Sequence, residues 1–321
     1  MDTDGRFQNL GSNLALLAIA AIWGGNFVGM KHLINEVGAL KVLLLRVYIA
    51  AIVFAGVLLL RRGHIPRFNR QEWKLLTLVG FFGVVTNQLF VSYGTSYLSA
   101  AVASMIATST PVFMAILSRV LLGERLGARK LTGISLAFTG FVIVLFYGSG
   151  QAEFSVTNAL GVFITALAPL SWTTSTLIST RLMLRHDPTI ITGISTVIGG
   201  VTLLPVLVTQ SSLFTDVQSF GMTEWAAAFV TSVLSVVVAY TVWYRALRHL
   251  EPTQIAVYVY LVPFFGVIFA WILLDEPITK FVVLGGMTIL SGVALTNTAR
   301  RKTAVPAAQL RESQQASPVV D

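Results

Sequence analysis

Long apolar runs that are nearly free of charge constrain this chain more than any other feature. Each run is close to the ~20 residues that an α-helix needs to cross the hydrocarbon core of a bilayer. Charged residues make up 11% of the 321 residues, against roughly 25% in soluble domains. We therefore predict an all-α integral membrane protein with ten transmembrane helices, over residues 13–31, 41–60, 74–93, 98–121, 130–147, 159–180, 189–208, 225–244, 253–273 and 281–298.

The second half of the chain repeats the first. Residues 111–140 align with residues 263–292 at a constant offset of 152 positions, without a gap. We therefore predict two five-helix repeats, 13–147 and 159–298. They lie between a short N-terminal segment, 1–12, and a polar tail, 299–321, whose composition predicts disorder. The aligned pairs include Pro111 and Pro263, Glu124 and Glu276, Gly133 and Gly285, and Gly140 and Gly292.

Lysine and arginine set the predicted orientation. If both termini are cytoplasmic, almost all of the 22 Lys and Arg residues fall on the inner side, as the positive-inside rule requires. Because five spans is an odd number, the second repeat then crosses the membrane in the opposite direction. Inverted repeats of this kind let a transporter exchange an inward-open for an outward-open state. The exceptions in the outer half are Lys31, Lys41, Arg46 and Lys280.

Short motifs follow a recognisable order along the chain. They are "WGGNF" at 23–27 with Lys31 after it, "LLRVYIAA" at 44–51, "P…LLGE" at 111–124, "SWTTSTLISTR" at 171–181, "YTVWYRAL" at 240–247 and "P…LLDE" at 263–276. In these motifs the chain resembles the EamA family of the drug/metabolite transporter (DMT) superfamily. The resemblance implies a ten-helix secondary carrier of small metabolites such as amino acids, whose central cavity is lined by helices 1, 3, 4, 6, 8 and 9.

Polar and aromatic side chains within the predicted spans are the candidates for binding a solute. An uncovered polar group in a span costs several kcal/mol, so these side chains should face a cavity or another helix rather than lipid. Several occupy matching places in the two repeats, such as Gln88 and Tyr240. We predict the substrate-binding residues to be Trp23, Asn26, Gln88, Ser92, Tyr93, Ser104, Thr108, Trp172, Ser175, Tyr240, Trp243, Tyr244 and Tyr258.

These candidates also have structural interpretations. The tryptophans can pack between helices, and Asn26 can supply an interhelical hydrogen bond that contributes ~0.6 kcal/mol. Tyr93, Trp243 and Tyr244 lie near helix ends, where aromatic residues are enriched at the membrane interface.

The two aligned prolines, Pro111 and Pro263, are predicted hinges. A proline within a helix removes one backbone hydrogen bond and leaves a carbonyl that a neighbour, water or ligand must satisfy. The alternative is a static kink in which nearby serine and threonine hydroxyls satisfy the freed carbonyl.

Three charged residues need separate interpretations. Arg46 lies inside the second predicted span. A charged residue within a span usually has a function, although the long side chain of arginine can also extend to the lipid headgroups. We interpret Arg46 as mainly structural. Glu124 and Glu276 lie at span ends, where a carboxylate can face the N-terminus of the following helix, and we interpret both as structural.

Several kinds of chemistry have no basis in this sequence. Cysteine is absent, no GxxxxGK[ST] loop encodes an ATP-binding site, and no span contains Asp or Glu for a proton relay. We expect no cofactor, no metal and no catalytic residue. The formal charge of +8 is explained by membrane topology rather than by nucleic-acid binding.

The predicted function is secondary transport by alternating access, with a small uncharged or zwitterionic solute, amino acids above all, and export as the direction. The alternatives are a nucleotide-sugar or drug carrier of the same superfamily, an intramembrane enzyme and a passive channel. The expected partners are the solute and the lipid bilayer, and the expected state is a monomer or weak homodimer. A compact chain without a targeting segment favours the inner (cell) membrane.

Overall fold

Helices provide all the regular secondary structure of the described residues. The computed structural model describes residues 3–110, 112–113, 116–117, 120, 127–147, 156–183, 185–246, 258 and 261–298. Its helices are α1 (Thr3–Val37), α2 (Ala39–Leu60), α3 (Arg70–Gly80), α4 (Asn87–Tyr97), α5 (Ala100–Ala107), α6 (Ala128–Tyr147), α7 (Val156–Met183), α8 (Pro188–Thr202), α9 (Leu204–Thr209), α10 (Ser212–Asp216), α11 (Met222–Phe229), α12 (Ala239–Ala246), α13 (Leu261–Leu274) and α14 (Lys280–Thr298).

Five of the described helical segments are long and apolar enough to cross a membrane: Leu14–Val37, Ala39–Leu60, Arg70–Tyr97, Thr157–Met183 and Met222–Trp243. Shorter apolar helices lie at four further predicted runs: Leu131–Gly140, Pro188–Thr202, Leu261–Leu274 and Lys280–Gly292. The remaining run, 98–121, contains α5, and half of its residues after Pro111 lie outside the described part. The all-α membrane fold is therefore confirmed, whereas the count of ten spans stays a prediction.

The protein exposes many large apolar side chains on its outside and buries many polar ones inside. Large apolar side chains such as Ile52 and Phe163 are 70% and 63% exposed, whereas hydroxyls such as Ser104 and Thr231 are fully buried. Apolar surface of this extent indicates contact with lipid. Polar groups face the interior because the hydrocarbon region offers them no hydrogen-bond partner.

Two of the long segments contain a stretch of π-helix. Residues Phe81–Thr86 (π1) join α3 to α4, and residues Val230–Val238 (π2) join α11 to α12. The repeat offset of 152 places 81–86 on 233–238, inside π2, so both repeats are wound in the same unusual way at the same place. π-helical turns are rare and occur frequently at functional sites.

The two repeats pack against each other through reciprocal contacts. A Cβ atom at Gly140 would lie 2.7 Å from the carbonyl oxygen of Gly285, and one at Gly292 would lie 2.5 Å from that of Gly133. Positions 140 and 292, like 133 and 285, are separated by the repeat offset. The aligned glycines therefore bring α6 and α14 together within one chain, because small residues let helix backbones approach closely.

The structure also shows where span ends were underestimated. Helix α1 continues to Val37, beyond the predicted end at residue 31, because the polar residues near its end find partners. Lys31 donates to the backbone carbonyls of Thr95 and Ser96 at the C-terminus of α4, at 3.1 and 3.3 Å. The predicted loop 209–224 contains the short helix α10.

Candidate functional site

Arg46 is the centre of a buried polar network that joins four segments. Its side chain is buried on α2, so it does not extend to the headgroups. Nη1 donates to Gln88 Oε1 at 2.7 Å and to the sulfur of Met30 at 2.9 Å. Nη2 donates to Asn26 Oδ1 at 2.8 Å, and both Nη2 and Nε reach the carbonyl oxygen of Thr231, at 3.2 and 3.3 Å. Every acceptor in this network is an uncharged group.

The π-helical segments supply carbonyl groups to side chains of neighbouring helices. Arg46 uses the carbonyl of Thr231, and the indole N–H of Trp23 donates to that of Ser235 at 3.1 Å, so both bonds go to π2. On the other repeat, the hydroxyl of Ser175 donates to the carbonyl of Val79, just before π1, at 3.3 Å. Val79 and Thr231 are equivalent positions, so the same carbonyl is engaged in each repeat by a different kind of donor.

A cavity lies beside this network, between α2, the third span, α7, α8 and the eighth span. Residues at equivalent positions of the two repeats line it in pairs, namely Val84 with Val236 and Gln88 with Tyr240. Arg46 is its one charged lining residue in the described part of the chain. The other lining residues are Val47, Ala50, Val79, Gly83, Trp172, Ser175, Thr176, Ser179, Met183, Thr192, Ser195 and Thr196.

A row of aromatic rings runs from the cavity wall towards α1. Trp172 stacks on Tyr240 with ring centroids 4.8 Å apart, and Tyr240 contacts Trp23 at 5.9 Å. Trp23 in turn contacts Trp243 at 5.3 Å. Tyr258 packs at the same cluster, around Leu16, Ile19 and Ala239. The row joins predicted substrate-binding residues of both repeats, but only its first two rings line the cavity.

Four other predicted residues lie away from the cavity lining. Ser92 is fully buried in α4, with no partner for its hydroxyl among the described residues, and Tyr93 on the same helix is half-buried. The hydroxyls of Ser104 and Thr108 donate to carbonyls three residues earlier on their own helix, at 2.7 and 2.8 Å. Ser104 also contacts Gly266, so it lies where α5 meets α13.

The predicted hinges are only partly described. Pro111 and the side chain of Tyr244 lie outside the described residues. The carbonyl of Ala107, which Pro111 cannot bond, accepts a hydrogen bond from the hydroxyl of Thr110 at 3.1 Å. Pro263 is buried in the first turn of α13. The Thr110 hydroxyl satisfies this carbonyl at the end of α5, as the static-kink interpretation expects.

Polar residues on α7 and α8 complete the cavity wall and were missed by sequence reasoning. Ser179 follows Ser175 by four residues, and Thr192, Ser195 and Thr196 share the same kind of spacing on α8. Spacing of three or four residues places side chains on one helical face. A search for hydroxyl stripes facing one another would have found them, but serine and threonine are too common in spans to stand out individually.

Charged residues close the end of the bundle where α1 ends. The carboxylate of Glu276 accepts hydrogen bonds from the backbone N–H groups of Ala100 and Ala101, at 2.8 and 3.2 Å. This residue therefore caps the N-terminus of α5, a helix of the other repeat, rather than that of the following helix. Its equivalent, Glu124, lies outside the described residues. Lys41 forms an ion pair with Asp216 nearby.

The fold and the site together define the class: a multi-pass helical membrane protein in which two repeats meet around an internal cavity. A family model described as the EamA-like transporter family matches residues 10–146 and 159–298. The chain belongs to this family, and the resemblance seen in its motifs is confirmed.

Relatives of the chain are named as transporters. An uncharacterized transporter of Archaeoglobus fulgidus is 29% identical over 90% of this chain and 98% of its own length. The uncharacterized transporter YoaV of Bacillus subtilis is 24% identical over 87% of this chain and 94% of its own length. A solved crystal structure with 18% identity covers 92% of this chain and 99% of its own, with a TM-score of 0.60, and supports the fold alone.

Proposed function

We propose that this protein is a secondary carrier that moves small organic metabolites across the inner (cell) membrane by alternating access, in the export direction. Its solutes are amino acids or related uncharged or zwitterionic compounds. The observation that carries the proposal is the cavity lining. Val84 with Val236 and Gln88 with Tyr240 are equivalent residues of the two repeats, and all four line one cavity. A site shared by two repeats is accessible from either side if the repeats exchange conformations.

The proposed architecture has ten transmembrane helices arranged as two inverted five-helix repeats, with both termini in the cytoplasm. The reciprocal contact of α6 with α14 supports a two-fold relation between the repeats. Tyr48 supports it as well, since its hydroxyl donates to the carbonyl of Gly200, its own equivalent position, at 3.0 Å. A residue contacts its equivalent only close to such an axis.

The cavity extends from Arg46 towards Met183 and Thr192, near the junction of α7 and α8. Positive charge assigns that junction to the cytoplasm. At the opposite end, Lys31 and Glu276 bind helix termini. We therefore propose that this conformation is closed on the outer side. A membrane-impermeant thiol reagent should therefore react with Thr192→Cys in inside-out vesicles, and should not react with it in right-side-out vesicles.

Transport by the purified protein in liposomes tests the proposed function. Labelled amino acids, nucleobases and cationic drugs are offered, and movement of at least one class down its gradient is expected. Trp172→Ala and Tyr240→Ala should reduce transport, because the stacked pair forms one wall of the cavity. Phe163→Ala is the matched control, since this ring on α7 is exposed on the outside of the bundle. Absence of transport for every class would refute the proposal.

Cysteine labelling tests the architecture, because the natural chain contains no cysteine. Single cysteines at positions 124 and 276 should react with an impermeant reagent from opposite sides of the membrane. Reaction from the same side would contradict the inverted repeat without bearing on transport itself.

A further inference from the structure

We propose that Arg46 is the binding site for a carboxylate group of the solute, which makes the transported class monocarboxylates, free amino acids among them. The inference rests on the proposed function and narrows it. It starts from one observation: a guanidinium that is 3% exposed lines the cavity, and no carboxylate lines the cavity in the described part of the chain.

The hydrogen bonds of Arg46 are satisfied, but none of its hydrogen-bond partners among the described residues carries an opposite charge. Its partners are two amide oxygens, one backbone carbonyl and one thioether, and none of them carries a negative charge. A charge taken out of water is costly unless an opposite charge lies close to it, and the interaction between charges strengthens as the dielectric falls. The predicted spans contain no Asp or Glu to supply that charge. A solute that carries a carboxylate supplies it.

The hydrogen bonds of one guanidinium nitrogen, Nη1, can be replaced by bonds to a ligand. Nη1 donates to Gln88 Oε1 and to the sulfur of Met30, and Gln88 itself lines the cavity. Thioether sulfur is a weak acceptor, and the Gln88 side chain can rotate away from Arg46. Both of these bonds come from the single nitrogen Nη1, so a carboxylate oxygen can take the place of Gln88 Oε1 there. A charge-assisted bond of this kind is roughly twice as strong as one to a neutral acceptor.

The other lining residues disfavour a phosphate ester and favour a solute whose part beyond the carboxylate is small and organic. A phosphate dianion needs more than one cation, and Arg46 is the one cation of the described lining. Trp172 and Tyr240 offer a stacked aromatic wall, and Ser175, Ser195 and Thr196 offer hydroxyls. An α-amino group can be held by hydroxyl oxygens and by the faces of aromatic rings. The site therefore fits one carboxylate with an apolar or zwitterionic remainder.

Three ligands with the same phenyl remainder test the inference: 3-phenylpropionate, 3-phenylpropionamide and 3-phenylpropylamine. Their binding to the full-length protein in detergent is measured by quenching of tryptophan fluorescence. The carboxylate should bind at least about tenfold more tightly than the amide. Arg46→Gln should abolish this preference, and Arg46→Lys should keep part of it, because lysine retains the charge but cannot make all the other hydrogen bonds of the guanidinium. Arg62→Gln, at an exposed site after the end of α2, should leave it unchanged.

Transport of the same ligands separates this inference from the proposed function. Liposomes that transport the amide or the amine as well as the carboxylate would overturn the Arg46 inference while the carrier function stands. Preferential binding of the carboxylate without transport of any solute would support the Arg46 site and refute the carrier function. If Arg46→Gln does not fold, the comparison of carboxylate with amide on the natural protein decides alone, and equal binding overturns the inference.

Discussion

The two repeats are alike at their ends and different at their centres. Glu72 lies in the first turn of α3 and contacts His186 at 2.9 Å; Glu224 lies in the first turn of α11 and contacts His32 at 3.0 Å. Each glutamate also accepts a hydrogen bond from the backbone N–H group three residues earlier. Glu72 and Glu224 are equivalent positions, and each histidine comes from the end of the first helix of the other repeat. The same contact therefore holds each end of the molecule.

At the centres, equivalent positions carry different side chains in the two repeats. The position equivalent to Arg46 in the second repeat is occupied by Ile198. Ile198 packs against Gly80 beside π1, whereas Arg46 donates a hydrogen bond to Thr231 in π2. Gln88 likewise has Tyr240 as its equivalent. In the proposed alternating access, similar ends would give the two exchanged conformations similar energies, and unlike centres would let one solute be held in one orientation.

The largest effect on stability is expected at Arg46. Arg46→Met removes the N–H groups that donate to Asn26 Oδ1, Gln88 Oε1 and the Thr231 carbonyl. Because these buried acceptors are then unpaired, the free energy of unfolding should fall by roughly 2–4 kcal/mol. Ile198→Met, at the equivalent position, should cost under about 1.5 kcal/mol because it conserves volume. Denaturation in mixed micelles measures both. Equal losses would show that the centres are energetically alike.

A second prediction concerns the symmetric contact of α6 with α14. Gly140→Ala and Gly292→Ala each place a methyl group against backbone atoms of the other helix, and overpacking of this kind costs about 1–3 kcal/mol. The two losses should be similar, because the positions are equivalent. Gly56→Ala is the control, since nothing lies within 4 Å of a Cβ atom there. A large loss at one glycine only would break the two-fold relation.

A smaller effect is expected from the indole N–H of Trp23. Trp23→Phe keeps a ring in the aromatic row but removes the hydrogen bond to the Ser235 carbonyl, which should cost about 0.5–1.5 kcal/mol. Trp225→Phe, at a position that is 45% exposed, should change the melting temperature very little. An identical melting temperature for both variants would mean that the π2 carbonyl is satisfied without Trp23.

The smallest effects are expected at the molecule's ends. Glu72→Gln and Glu224→Gln keep the size of the side chain but weaken its contacts with histidine and with the helix N-terminus. Both variants should lower the melting temperature slightly and by the same amount. The double variant tests independence, and its shift should equal the sum because the two contacts lie in different parts of the fold. A clear difference between the single variants would show that the ends are unlike.

Sequence reasoning predicted the fold more fully than the site. Apolar run length identified the helices, and the repeat alignment paired the glycines at which α6 and α14 meet. Trp172, Ser175, Gln88 and Tyr240 were predicted as binding residues, and the structure places all of them in the lining. Whether they bind solute stays a prediction. Ser104 shows why the lining could not be predicted completely: a hydroxyl in a span can face the cavity or a neighbouring helix, and its sequence position does not distinguish the two.

The sequence by itself determined the membrane class, the duplication and the family, because these depend on composition, run length and motif order along the chain. The tertiary structure decided three further points: the π-helical winding, the partners of Arg46 and the helix that Glu276 caps. Each depends on contacts between residues far apart in the chain. Thr231 lies 185 positions from Arg46, and Ala100 lies 176 positions from Glu276. Periodicity reports which face of a helix is polar, and only the packed bundle determines what that face meets.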